Sequence, residues 1–158
     1  MEKRPKRRLL QVWGICGLCL CALLAGVWFI LDDATPRLRL VEEVDCVGGG
    51  EPVVVCRMSN PSAKFVYHGT EFRVERWNED TSAWEEYHEE GRNFNFTLPL
   101  LSLAPLGSKT VEYPAYYFAE HFAVGRYRVA QKVRCSGFRD WHGGEETTLY
   151  CEFSITAP

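Results

Sequence analysis

Between Leu9 and Leu31 the chain runs for twenty-three residues without a charge, directly after a block in which five of eight residues are Lys or Arg. As a helix rising 1.5 Å per residue, such a run reaches roughly 34 Å, enough to cross a hydrocarbon core of about 30 Å. Trp13 and Trp28 stand near its two ends, where indole rings favour the headgroup level. The basic block, residues 1–8, predicts a cytoplasmic N-terminus, so residues 9–31 read as one transmembrane signal anchor and the 127 residues after it as extracytoplasmic. A cleaved secretory signal fits less well. Its apolar stretch would be 7–15 residues long and end at a small-x-small site, whereas Leu23 and Leu24 hold the −3 positions before Ala25 and Gly26. A lipoprotein signal fits no better, because Ile15, Leu18 and Leu20 precede Cys16, Cys19 and Cys21. Those three thiols read as small apolar residues of the span.

The charge balance follows the same division. Residues 1–8 carry +4 (five basic against one acidic), and residues 32–158 carry −7 (13 against 20). An acidic ectodomain excludes a nucleic-acid binder, and 13% aromatic residues exclude a disordered one. Four further cysteines, Cys46, Cys56, Cys135 and Cys151, make an even set in a compartment where disulfides persist, and none has Cys-x-x-Cys spacing. Two disulfides are therefore expected and no metal site. Cys135 and Cys151 suit a cross-hairpin bond around Gly143-Gly144, which leaves Cys46 with Cys56; Cys56 with Cys135 is the rival pairing.

After a linker over residues 32–36 the pattern is period two, broken by frequent turn residues. Strands are expected at Arg37–Cys46, Pro52–Ser59, within Phe65–Trp77, at Trp84–Tyr87 (a charged edge), Asn93–Leu103, Lys109–Tyr113, Gly125–Cys135 and Thr147–Thr156, with one helical turn within Ala115–Phe122. Seven or eight short strands over residues 37–158 predict an all-β antiparallel sandwich behind one N-terminal transmembrane helix.

Two stretches carry a resemblance. Ala123-Val124-Gly125-Arg126-Tyr127-Arg128-Val129 resembles the strand-F start of immunoglobulin-like sandwiches, where a tyrosine closes the corner. Leu103-Ala104-Pro105-Leu106-Gly107-Ser108 resembles the Leu-x-Pro-Gly-x-Ser loop before strand E in bacterial surface domains of that type. With Val74-Glu75-Arg76 and Trp84 between them, residues 37–158 are similar to the bacterial immunoglobulin-like domain family of exported Firmicutes proteins. Leu106 splits the usual Pro-Gly, and Val129 stands where antibody-type domains carry the strand-F cysteine. The resemblance implies an immunoglobulin-like sandwich on a bacterial cell membrane and no particular activity.

An enzyme is not expected. His68, His88, His121 and His142 are available, the last beside Asp140, Glu145 and Glu146, but no nucleophile motif accompanies them. Glu85-Glu86 with Glu89-Glu90 reads as a solvated face, and Asn95-Phe96-Thr97 as an incidental sequon. No cofactor, metal or nucleic acid is implied. The expected role is a non-catalytic, membrane-anchored interaction or scaffolding domain. The alternative is an accessory or sensory subunit coupled through its helix, where Gly14, Gly17, Ala22 and Gly26 permit close approach. In an immunoglobulin-like sandwich the linker enters beside the F–G loop, so Phe138, Arg139 and Trp141 are expected to face the membrane. Tyr116, Tyr117, Phe118 and Phe122 form a candidate binding tip at the far end, unless they plug the core.

Overall fold

A computed structural model describes residue 13 and residues 16–27, 34–42, 52–89, 99–119, 122–137 and 143–156. Residues 16–27 form a helix, about 18 Å long at 1.5 Å per residue. Among the described residues no helix is long and apolar enough to cross a membrane, so the expected span over residues 9–31 is seen only as this shorter segment. Every described residue of the helix is exposed, including Leu18, Leu20, Leu23, Leu24 and Val27.

The remainder is all-β. The strands are β1 (Arg37–Leu40), β2 (Val53–Ser59), β3 (Phe65–His68), β4 (Arg73–Asn78), β5 (Ala83–Glu86), β6 (Leu101–Leu103), β7 (Ser108–Pro114), β8 (Gly125–Ser136) and β9 (Glu145–Ile155), with a 3-10 turn at Ala115–Tyr117. The small sheet has the order β1-β2-β7. The large sheet runs β5-β4-β8-β3-β6 with β9 on the free side of β8, and every pairing is antiparallel. Period two decides the layering, because alternate residues of a strand point to opposite faces. Leu38, Val54, Cys56, Met58 and Tyr113 of the small sheet meet Val66, Val74, Tyr127, Val129, Val133, Leu149, Cys151, Phe153 and Ile155 of the large one in a single core. The expected sandwich is thus observed, with β5 at the charged edge where it was expected.

The expected strand within Phe65–Trp77 is two strands, for a reason the ladder supplies. His68 is opposite Val133 and Arg73 is opposite Ala130, so four residues of one strand, Gly69 to Phe72, oppose only Gln131 and Lys132. This is a β-bulge, and bulges leave backbone groups without ladder partners. The buried Gln131 side chain answers one of them, donating from Nε2 to the Glu71 carbonyl at 2.9 Å. Of the expected strand Arg37–Cys46 only the first four residues are β1, and of Asn93–Leu103 only the last three are β6. Residues 43–46 and 93–98 lie outside the described segments.

Two features fix the loop that precedes β7. Asn60, buried between β2 and β3, donates from Nδ2 to the carbonyls of Lys64 (2.7 Å) and Ala104 (3.0 Å). Its Oδ1 accepts from the Ser62 amide (3.1 Å) and hydroxyl (2.7 Å). The Asn60 amide donates to Gly107 O and the Leu106 amide to Ser62 O, so the two loops are stapled. Leu106 has φ +56° and is exposed. That left-handed backbone suits glycine and crowds a Cβ. Leu106→Gly is therefore expected to raise stability by about 0.5–1 kcal/mol, because it relieves the strain and removes little buried surface. A urea-midpoint shift upward checks it; an unchanged or lower midpoint would show that the turn tolerates the leucine.

Candidate functional site

The outer face of the large sheet carries an alternating row of rings and guanidinium groups. β4 and β5 are paired with Trp77 opposite Trp84, and their indoles meet edge to face with centroids 5.4 Å apart. The turn joining these strands is held by Asn78, whose Oδ1 accepts from the amides of Asp80 (2.9 Å) and Thr81 (3.3 Å). Asn78 Nδ2 and the Thr81 hydroxyl both donate to Glu85 Oε1. Glu85, half of an acidic pair in sequence, is thus a turn brace.

Alternate residues of β8 project between these rings. Arg126 lies 5.4 Å from the Trp77 centroid and 5.7 Å from that of Trp84. Arg128 lies 4.5 Å from the Trp84 centroid and 4.0 Å from that of Tyr150 on β9. The order across the face is Trp77, Arg126, Trp84, Arg128, Tyr150. A cation over an aromatic face is worth about 0.5–1 kcal/mol at an exposed site, so four such contacts stiffen the row. Carboxylates hold the other sides of the guanidinium groups. Glu75, nearly buried, pairs with Arg128 and stands 3.9 Å from Arg73, while Glu152 accepts from Arg126 at 3.2 Å. The row is therefore ordered and close to charge-balanced. It presents flat rings with guanidinium donor edges between them.

The residues singled out from sequence are distributed as follows. Tyr127 makes the expected corner: its hydroxyl donates to the Ala123 carbonyl at 2.8 Å, and its ring packs on Tyr87, Phe122 and Phe153. The aromatic run is divided. Phe118 is in the core against Phe72, and Phe122 packs against Tyr87, Tyr127 and Phe153, whereas Tyr116 and Tyr117 touch each other nearer the surface. Phe118 and Phe122 thus pack inward at that end of the sandwich, and Tyr116 and Tyr117 stand nearer solvent. Phe138, Arg139 and Trp141 lie outside the described residues, as do His121, Asp140, His142 and Cys46. Ala34 to Pro36 line a small cleft with Ser62, Lys64, Cys135 and Glu145, so the linker enters at the end where β8 and β9 turn.

His68 is buried with Nδ1 against the Gly69 carbonyl (2.8 Å), and Nε2 has no hydrogen-bond partner. Burial holds its pKa below the ordinary imidazole value, so it is a neutral core residue at pH 7. His88 is exposed. Among the described residues no three His, Cys, Asp or Glu cluster as metal ligands do.

The cysteines require a correction. In the β8–β9 ladder Cys135 is opposite Glu145 and Cys151 is opposite Val129. The two are six residues apart along the sheet, about 20 Å, and a disulfide needs Cα atoms within about 7 Å. The cross-hairpin bond is excluded because Gly143-Gly144 does not sit midway in the hairpin; the chain turns between Ser136 and Glu145. Cys56, Cys135 and Cys151 are free thiols here.

The row of rings and cations was not legible in the sequence. Period two puts Arg126 and Arg128 on one face of a strand, but only the strand order and register bring Trp77, Trp84 and Tyr150 beside them. In comparisons with known proteins, the chain matches no family model and no curated protein.

Proposed function

We propose that this protein is a non-catalytic interaction domain of immunoglobulin-like architecture, held on the outside of a cell membrane by residues 9–31, with the outer face of the large sheet as its protein-binding surface. The observation that carries the reading is the Trp77–Arg126–Trp84–Arg128–Tyr150 row. Trp, Tyr and Arg are the residues most enriched at binding hot spots, and a row already ordered by ring stacking and ion pairs loses little freedom on binding. The architecture is supported by the strand order, in which the first, second and seventh strands form one sheet and β8 lies central in the other, and by the tyrosine corner. Anchoring is supported by an apolar helix that leaves every described side chain exposed after a basic block, a surface suited to lipid rather than water.

The test places a photoreactive benzophenone amino acid at position 150, on the row, or at position 110, exposed on β7 of the other sheet. After irradiation of intact cells, position 150 should yield one discrete adduct and position 110 none. Trp84→Ala should abolish the adduct. Equal labelling from both positions, or none from position 150, would remove the surface from consideration.

A further inference from the structure

The tyrosine-corner strand lacks a cysteine where immunoglobulin-type domains place one, and the ladder shows what stands beside that place. Val129 of β8 is directly opposite Cys151 of β9. Cys151 points inward with Leu149, Phe153 and Ile155, and is 3% exposed. Cys56, in the middle of β2 on the other sheet, is fully buried between Val54 and Met58. Across the gap between the sheets the two thiols face each other in one core cluster that also holds Tyr113, whose buried hydroxyl has no hydrogen-bond partner. We infer that Cys56 and Cys151 form an inter-sheet disulfide, one strand over from the position used by antibody-type domains, when the chain folds in an oxidising compartment. In that last condition the inference rests on the proposed extracytoplasmic location.

The chemistry balances with a small-molecule disulfide as oxidant. The exchange begins when the Cys151 thiol, reached by solvent as the sandwich opens, loses its proton. Its thiolate attacks one sulfur of the oxidant disulfide and releases one thiolate, leaving a mixed disulfide. Cys56 then loses its proton to solvent and attacks the Cys151 sulfur, expelling the second thiolate. Two protein thiols are oxidised, one disulfide is reduced to two thiols, and the two protons end on the released thiols. Both sulfurs are buried, so the exchange takes place while the sandwich is still opening and closing. Of the three ways to pair the four cysteines, this choice leaves Cys135, half-buried at the end of β8, with Cys46.

The experiment uses the full chain in detergent, with Cys16, Cys19 and Cys21 replaced by alanine. It is reduced, then incubated in a glutathione redox buffer with enough urea to let the domain breathe. Peptide mapping without reductant should give a Cys56–Cys151 peptide. Closing so long a loop should raise Tm by about 10 °C or more. The Cys46→Ser/Cys135→Ser variant should keep that shift and Cys56→Ala should lose it. A Cys56–Cys135 or Cys46–Cys56 peptide, both thiols still open to alkylation, or loss of the shift in the Cys46→Ser/Cys135→Ser variant would each overturn the pairing. Alkylation of thiols in intact cells is a separate arm. A bond that forms in detergent but is absent in cells would count against the proposed location, and leave the pairing standing.

Discussion

Tyr127→Ala is expected to lower the stability of the sandwich by about 4 kcal/mol, the cost of removing a large ring from a site that cannot collapse around the loss. The ring is fully buried and touches three other rings, and the Arg76 guanidinium lies 5.9 Å from its centroid. Those partners come from β5's far end, from the segment before β8 and from β9, so no single neighbour can shift to fill the space. Domains of this size have about 5–15 kcal/mol in total, which makes the variant marginal at 37 °C. Tyr127→Phe separates the two contributions. It keeps the packing and loses only the hydroxyl's bond to Ala123 O, so it should cost about 1–1.5 kcal/mol. Urea unfolding followed by tryptophan fluorescence measures both. A Phe variant as damaged as the Ala variant would mean that the corner hydrogen bond, rather than the ring, governs the fold here.

Asn60→Ala is expected to cost about 3 kcal/mol despite removing a polar side chain near a loop. All four hydrogen-bonding positions of the Asn60 amide are used, two as donor and two as acceptor, at a site 1% exposed. Deletion takes one donor from each of the Lys64 and Ala104 carbonyls, which keep the Ser62 hydroxyl and the Gly107 amide, and strips the buried Ser62 amide of its acceptor, a loss of about 1–3 kcal/mol before that of the remaining bonds. Asn60→Asp should be at least as harmful at pH 7, because a carboxylate there faces the Lys64 and Ala104 carbonyl oxygens with no proton to give. Full stability in Asn60→Asp would show that the staple between the two loops carries no weight.

These two residues also mark how far the sequence could be read. The alternation in Val53–Ser59, Gly125–Ser136 and Glu145–Ile155 is strict enough that strands, faces and layer count follow from period two alone. Tyr127 was legible because the corner is a local motif, in which the hydroxyl reaches four residues back along its own chain. Asn60 shows nothing of its role in the sequence, because its partners at Ala104 and Gly107 are more than forty residues away. The bulge at Gly69–Phe72 was hidden for a similar reason. A break of two residues in register is invisible until the partner strand is known, and it split one expected strand into two. The cysteines failed through register too. Cys135 and Cys151 do lie on neighbouring strands, yet the turn lies elsewhere than Gly143-Gly144 and slides them about 20 Å apart. The row of rings and cations needs four strands in the right order before any two of its members touch.

The proposed binding surface and the inferred disulfide both rest on the proposed placement of the sandwich outside a membrane. The most direct measurement is protease treatment of intact protoplasts carrying the full chain, beside a permeabilised sample. An anchored, outward-facing domain predicts that residues 32–158 are digested without permeabilisation, while a fragment of residues 1–31 stays with the membrane. A sandwich digested only after permeabilisation, or a soluble form beginning near residue 27 or 35, would contradict the account.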